Sequence, residues 1–159
     1  MRLSGDAKQR GDPAAPGFKL EDSPFFLMNG AVGAYGLAME RVLRAVDTDI
    51  PRWRVLMLAQ ERGPLSVGEI ADNGFLKLST ATRVVQRLRD EGLVELNRRK
   101  GDGRVTEVRA TPAGRRAVTV IRRVASRVYR HAFRDIEAPR IAELNKTLSR
   151  VQQNLRTMP

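Results

Sequence analysis

Residues 78–88 read Leu78-Ser79-Thr80-Ala81-Thr82-Arg83-Val84-Val85-Gln86-Arg87-Leu88, and this stretch decides the fold. Ala81, Val84, Val85 and Leu88 recur at the spacing of one helix face, which predicts a helix from about Leu78 to Glu91 with those four inward. The opposite face then carries Ser79, Thr80, Thr82, Arg83 and Gln86. Gly92 ends the helix. Two alternating runs follow, Leu93 to Arg98 and Arg104 to Ala110, joined by Arg99-Lys100-Gly101-Asp102-Gly103. They predict a β-hairpin with a basic, glycine-containing tip.

Upstream, Ser66-Val67-Gly68-Glu69 has the form of a capping box, in which hydroxyl and carboxylate each satisfy the other's backbone amide. It opens a short helix through Ile70 and Ala71, and Asn73-Gly74 supplies the turn. Short helix, turn, second helix and basic hairpin is the order of a winged helix-turn-helix, whose second helix enters a major groove while the hairpin reaches a minor groove. The outward face has matching chemistry: short hydroxyls reach phosphates, an arginine forks onto guanine, and an amide pairs with adenine. A merely solvated amphipathic helix would show the same period. What separates the two is charge, because eleven Lys and Arg stand against five Asp and Glu between Lys77 and Arg116.

Further out, Pro51 to Arg62 reads as a helix carrying Trp53, Leu56, Met57 and Ala59, closed by Gly63-Pro64. Ser23-Pro24 looks like an N-cap and first helical position. From there Phe25, Met28, Val32, Tyr35, Met39, Val42 and Val46 form one stripe of a long helix, kept thin by Gly30, Gly33 and Ala34 as if another backbone packs closely. Thr111-Pro112 starts a helix with Val118, Ile121, Ala125, Val128 and Ala132 on one side. Near Pro139 a last helix begins, with Ile141, Leu144, Leu148, Val151 and Leu155. One protomer could bury these seams as a bundle, but narrow stripes at both ends of a chain also suit intertwined termini of a homodimer. The expected organisation is a flexible arm over 1–22, a dimerisation helix over 23–48, a winged helix-turn-helix lobe over 49–111, and dimerisation helices over 112–159. The fold class is mainly α with a small β-hairpin wing, the terminal helices forming a dimerisation bundle.

The 159 residues are one domain's worth. They carry 29 Lys and Arg against 18 Asp and Glu, a net charge of +11 that calls for a polyanionic partner. Only five of the cations are lysines; guanidinium suits phosphate and guanine, although a GC-rich genome would also raise arginine. There is no cysteine, which removes disulfides, thiol nucleophiles and thiolate metal sites. The one histidine, His131, lies among Arg127, Arg130 and Arg134 and reads as a surface residue of a basic helix. No Walker loop, dinucleotide-binding glycine motif or paired-carboxylate motif is present, so neither an enzyme, a cofactor nor a metal is expected. The longest uncharged stretch, Ser23 to Met39, falls short of the ~20 apolar residues of a membrane span and is preceded by Glu21 and Asp22. A soluble, cytoplasmic protein is expected.

The stretch 78–88, then Glu91-Gly92-Leu93-Val94, Asp102-Gly103-Arg104 and Thr111-Pro112-Ala113-Gly114-Arg115, resembles the MarR family of bacterial transcriptional regulators over about residues 24 to 156. The resemblance implies a dimer of winged helix-turn-helix lobes on a pseudo-palindromic double-stranded DNA operator, with Arg104 entering the minor groove and Asp102 shaping the wing. The expected DNA contacts are Lys77, Ser79, Thr80, Thr82, Arg83, Gln86, Arg87, Arg99, Lys100, Asp102 and Arg104. Leu96 stands where the family often has a basic residue, and the missing cysteine excludes its peroxide-sensing branch. Family members commonly bind an aromatic acid or its thioester between the dimerisation helices and the lobe. By analogy, Tyr35, Met39, Arg52, Trp53 and Met57 would line such a site. Core packing is the better account of Tyr35, Met39, Trp53 and Met57, and Arg52 either counters an acid or is solvated. The expected function is a ligand-responsive repressor. The alternatives are an architectural DNA-binding protein without a ligand and a membrane-surface protein using the Arg-rich helix from Arg115 to Arg134.

Overall fold

The computed structural model describes residues 10–99 and 101–158. Helix α1 spans Pro24–Arg44, α2 Ile50–Glu61, α3 Val67–Gly74, α4 Leu78–Asp90, α5 Pro112–Ala132 and α6 Ala138–Arg156. Strands β1 (Leu65–Ser66), β2 (Val94–Arg99) and β3 (Asp102–Ala110) form an antiparallel sheet in the order β1-β3-β2. This is the expected mainly helical winged fold. The chain divides into two compact units, the first ending at Val128 and the second starting at Tyr129.

The first unit has one core. Met39 and Leu43 from α1, Val55, Leu56 and Ala59 from α2, Ile70 and Ala71 from α3, and Ala81, Val85 and Leu88 from α4 meet Val94, Val108 and Ala110 of the sheet and Val118, Ile121 and Val128 of α5. Each large side chain buried this way contributes roughly 1.5–3 kcal/mol. Val84, expected inward, is half-buried at the edge of this cluster.

The helix ends follow local chemistry. The Asp49 carboxylate accepts from the Arg52 amide at 2.8 Å and starts α2 at Ile50, one residue before the expected Pro51. Both halves of the Ser66–Glu69 box form: the Glu69 amide donates to the Ser66 hydroxyl at 3.2 Å and the Ser66 amide to the Glu69 carboxylate at 2.7 Å. At α4 the Leu93 amide donates to the Leu88 carbonyl and the Gly92 amide to that of Arg89, each at 2.8 Å, with Gly92 at a φ of 71°. That double closure needs a left-handed residue, which glycine adopts without strain. Ser23 precedes α1 as expected, but its side chain makes no cap hydrogen bond.

Other expectations need correction. The turn before α4 does not fall at Asn73-Gly74: α3 runs through Gly74, and Phe75 takes the left-handed conformation with a φ of 52°. Gly74 stays helical and buried, with Leu58 and Leu76 at contact distance from where a Cβ would stand. Strand β1 was not expected at all, since two residues carry no period; it pairs Leu65 with Val108 and Ser66 with Glu107. The hairpin tip is shorter than read, because Arg99 pairs with Asp102 across a register shift after Arg98. Lys100 lies outside the described residues, as does the Asp102 side chain. From Arg10 to Asp22, within the expected arm, the chain makes hydrogen-bonded turns.

The α1 stripe is mostly uncovered within one chain: Met39 is fully buried, but Phe25, Val32 and Tyr35 are exposed. The space around Gly30, Gly33 and Gly36 is open, so the close approach expected there is not made by this chain's described residues. In the second unit, α6 has no buried residue, and Leu144, Leu148 and Leu155 are exposed. Tyr129 and Phe133 stack with ring centres 4.8 Å apart. Among the described residues no helix is long and apolar enough to cross a membrane.

At the start of α5, Thr111 accepts from the Gly114 amide at 3.0 Å and donates to the Gly92 carbonyl at 2.7 Å. This clamps α5 so close to the entry of β2 that a Cβ on Gly114 would stand 2.0 Å from the Leu93 carbonyl oxygen. Backbone cannot yield there as a side chain would. Gly114→Ala is therefore expected to cost about 3 kcal/mol or more, the upper end of overpacking penalties, read as a lower urea midpoint. An unchanged midpoint would show that helix and strand do not meet at Gly114.

Candidate nucleic-acid interface

Helix α4 is held by its buried face, which leaves Ser79, Thr82, Arg83 and Gln86 exposed and Thr80 half-buried. Arg83 and Gln86 make no hydrogen bond or ion pair among the described residues, and neither does the exposed Lys77 that precedes the helix. Thr82 is different: its hydroxyl donates to the Leu78 carbonyl one turn back at 2.8 Å. Further along, Arg87 pairs with Glu91 at 3.1 Å and Arg89 with Asp90 at 2.6 Å. Of the three arginines on α4, only Arg83 has a guanidinium not engaged by a carboxylate.

The wing divides the same way. Arg98, Arg104 and Arg109 are exposed. Arg99, expected as a DNA contact at the tip, instead donates from Nε to Glu107 at 2.6 Å and from Nη2 to Glu69 at 2.8 Å. It fastens β2 to β3 and to the capping box of α3, and its charge is compensated there. Arg99 together with the Ser66 hydrogen bonds holds the Glu69 carboxyl below its ordinary value, the Ser66 bonds being the larger cause.

The expected ligand residues do not form one set. Tyr35 and Trp53 do meet, with ring centres 6.4 Å apart and planes tilted by 56°. Met57 is half-buried beside the core, and Met39 is fully inside it. Arg52 is not solvated: it is buried, and the acid it counters within the chain is Glu91, Nη1 donating to Oε1 at 2.8 Å and Nη2 to Oε2. Arg54 was missed. It donates to the Gly74 carbonyl at 3.2 Å, and its charge acts on the Tyr35 hydroxyl, which burial holds above its ordinary value against that pull. Arg54 follows Trp53 directly, so it leaves α2 about 100° away from it, and no period in the sequence links it to Tyr35. The Trp53 Nε1 is buried without an acceptor among the described residues.

Residues 49–106, from the Asp49 cap into β3, match the model of the MarR family. Across 147 residues, 92% of this chain and 88% of the relative, the sequence is 37% identical to the HTH-type transcriptional repressor IacR of Pseudomonas putida. The chain belongs to the MarR family. Solved structures of that family share the fold. CouR from Rhodococcus jostii RHA1, bound to p-coumaroyl-CoA, superposes with a TM-score of 0.74 over 84% of this chain and 94% of its own at 21% identity. BpsR of Bordetella bronchiseptica, whose DNA binding is regulated by 6-hydroxynicotinic acid, gives 0.74 over 85% and 96% at 16% identity. This MarR-family protein is a DNA-binding transcriptional regulator.

The Arg52 fork and, secondarily, Arg87 hold the Glu91 carboxyl below its ordinary value, although desolvation opposes them. A carboxyl depressed on folding contributes stability that is present above its unfolded pKa and lost as pH falls through the folded one. Stability should thus decline as pH drops past about 4.3, the ordinary glutamate value. Glu91→Gln is expected to lower the urea midpoint at pH 7 and to narrow the gap between midpoints at pH 7 and pH 3.5. A gap as wide as that of the parent protein would deny Glu91 this role.

Proposed function

We propose that this regulator is a homodimeric repressor that binds a pseudo-palindromic operator in double-stranded DNA and is released by an aromatic carboxylic acid or its thioester. The observation that carries the DNA part is the state of α4: two of its arginines are neutralised by carboxylates, while Arg83, Gln86 and Lys77 point outward with no partner among the described residues. Leaving a guanidinium unpaired next to two paired ones fits a group whose acceptor is a base edge. No side chain caps the first turn of α4, so its amides also suit a phosphate oxygen. Ser79 and Thr80 contribute hydroxyls beside that turn, and Arg104 with Arg98 extends the positive surface along the wing. Lys100 and Asp102 complete the wing contacts in this reading.

The exposed apolar residues of α1 and α6 support the dimer. Phe25, Leu27, Val32 and Leu37 on one and Leu144, Leu148 and Leu155 on the other lie uncovered in a single chain. Apolar surface on that scale in a charged protein indicates a protein partner, and a second copy satisfies two-fold operator symmetry.

The ligand part rests on the Tyr35–Trp53 corner. These two rings offer an aromatic surface, Arg54 supplies a cation for a carboxylate, and the unsatisfied Trp53 Nε1 supplies a donor. The p-coumaroyl-CoA of CouR and the 6-hydroxynicotinic acid of BpsR are both of this chemical class.

Two outcomes check these assignments. Arg83→Ala is expected to cost about 1–3 kcal/mol per half-site on the operator and to relax base preference at one position, whereas Arg87→Ala leaves that preference unchanged. Binding titrations on operator and scrambled duplexes measure both, and unaltered preference in Arg83→Ala would sink the recognition-helix assignment. For the ligand, an aromatic acid or its coenzyme A thioester should raise the melting temperature of the free protein and weaken operator binding, because it favours the non-binding conformation. Trp53→Ala should lose both responses and keep operator binding. If a broad set of aromatic acids and thioesters moves neither quantity, the protein is a DNA-binding protein without such a ligand.

A further inference from the structure

The first residue of the recognition helix is apolar and uncovered. Leu78 is 59% exposed, although Ala81 and Val85 further along α4 are fully inside the core. One exposed leucine needs no explanation by itself. Its neighbour one turn on does. Residues four apart share a helix face, and at that position Thr82 donates its only hydroxyl proton to the Leu78 carbonyl at 2.8 Å. Turned back on the helix, the hydroxyl cannot donate to a phosphate or to a base acceptor, and what Thr82 adds to the edge beside Leu78 is its methyl group. The two residues therefore make a small apolar edge at the start of α4. It is bordered by Lys77, Ser79 and Arg83, the groups that engage phosphate and guanine.

In the helix-turn-helix arrangement the first turns of this helix are the part that meets base edges in the major groove. Among the four bases only thymine presents an apolar group there, the C5 methyl. Guanine, adenine and cytosine would place hydrogen-bonding groups against the Leu78 side chain, which cannot answer them, and that costs free energy.

We infer that Leu78 and Thr82 read the C5 methyl group of a thymine in each half of the DNA site. The inference rests on the DNA-binding reading above and deepens it by assigning one base. It concerns residues whose contribution is contact and exclusion, not hydrogen bonding, and so predicts discrimination against a base that differs from thymine in that methyl alone.

The test uses the full-length protein and a duplex selected by it from a random pool. Each thymine of the selected site is replaced singly by deoxyuridine, and affinity is measured by fluorescence anisotropy. One symmetric pair of thymines should each show a loss of about fourfold, the value of one buried methyl group. Leu78→Ala, with its helicity checked by circular dichroism, should bind the all-thymine site more weakly than the parent and show a smaller loss than the parent on deoxyuridine at that pair, the Thr82 methyl retaining the rest. Thr82→Val keeps the methyl and removes the hydroxyl, so it should retain the discrimination; Thr82→Ser, which keeps the hydroxyl and removes the methyl, should reduce it. A parent protein indifferent to every deoxyuridine, or a Leu78→Ala variant with the full parental penalty, overturns the inference while leaving operator recognition intact. A pool that yields no enriched sequence overturns sequence-specific binding itself, and this inference with it.

Discussion

A guanidinium taken out of water must be given a counter-charge, and Arg52 is the place in this protein where that requirement organises everything around it. The residue is 9% exposed, inside the lobe, and Glu91 answers it with both carboxylate oxygens. Removing one partner from such a pair leaves an uncompensated buried charge at a cost of about 3–5 kcal/mol, so the pair is in effect a fixed distance between α2 and the end of α4. Glu91 is also the residue at which α4 stops. It accepts from Arg87, and it is followed by the Gly92 turn that sends the chain into β2. One carboxylate thereby sets where the recognition helix ends and where the wing begins. The wing is fastened a second time by Arg99, between Glu107 and the Glu69 of the α3 capping box.

These bonds also divide the arginines of a strongly basic chain into two populations. Arg52, Arg54, Arg62, Arg87, Arg89, Arg99, Arg115 and Arg122 have carboxylates, carbonyls or an amide oxygen of the protein as acceptors. Arg83 and Arg98 on the DNA-facing elements have none among the described residues. Composition counts both populations alike. A basic surplus therefore identifies the kind of partner, while only the pairing pattern identifies which cations remain to meet it.

This explains which parts of the molecule were legible in the sequence. Helix α4, the Ser66–Glu69 box, Gly92 and the hairpin depend on residues within a few positions of one another, and local spacing records them. Arg52 with Glu91 and Arg99 with Glu69 are pairs separated by 39 and 30 residues, and no period records those. For that reason nothing in the sequence showed that Arg52 and Arg99, expected as binding residues, fasten distant elements to one another. Phe75 was invisible for another reason: glycine next to asparagine is the ordinary turn signal, yet packing against Leu58 and Leu76 keeps Gly74 helical and passes the left-handed position to a phenylalanine. Asp49 could have been found, since aspartate ahead of Ile50-Pro51 is the usual form of a helix start.

The proposed ligand corner and the two helices of the helix-turn-helix meet in one turn of α2. Arg52, Trp53 and Arg54 are consecutive, so their side chains leave the helix about 100° apart, and each goes to a different element. Arg52 reaches Glu91 at the end of α4, Trp53 meets Tyr35 of α1, and Arg54 donates to the Gly74 carbonyl at the end of α3. Both helices of the helix-turn-helix are thus held at their C-terminal ends by residues that flank Trp53. A backbone turn is stiffer than the side chains it carries, and a rotation of this one that relieved Trp53 would displace the donors to α3 and α4 together. Half-buried Trp53 packs against a partly exposed tyrosine, with an indole nitrogen that lacks an acceptor among the described residues. It is the one of the three held by packing alone, whereas Arg52 is bound to Glu91 through both terminal nitrogens, its Nε lacking a partner among the described residues. The most adjustable contact of α2 therefore sits between the two contacts that position the reading head.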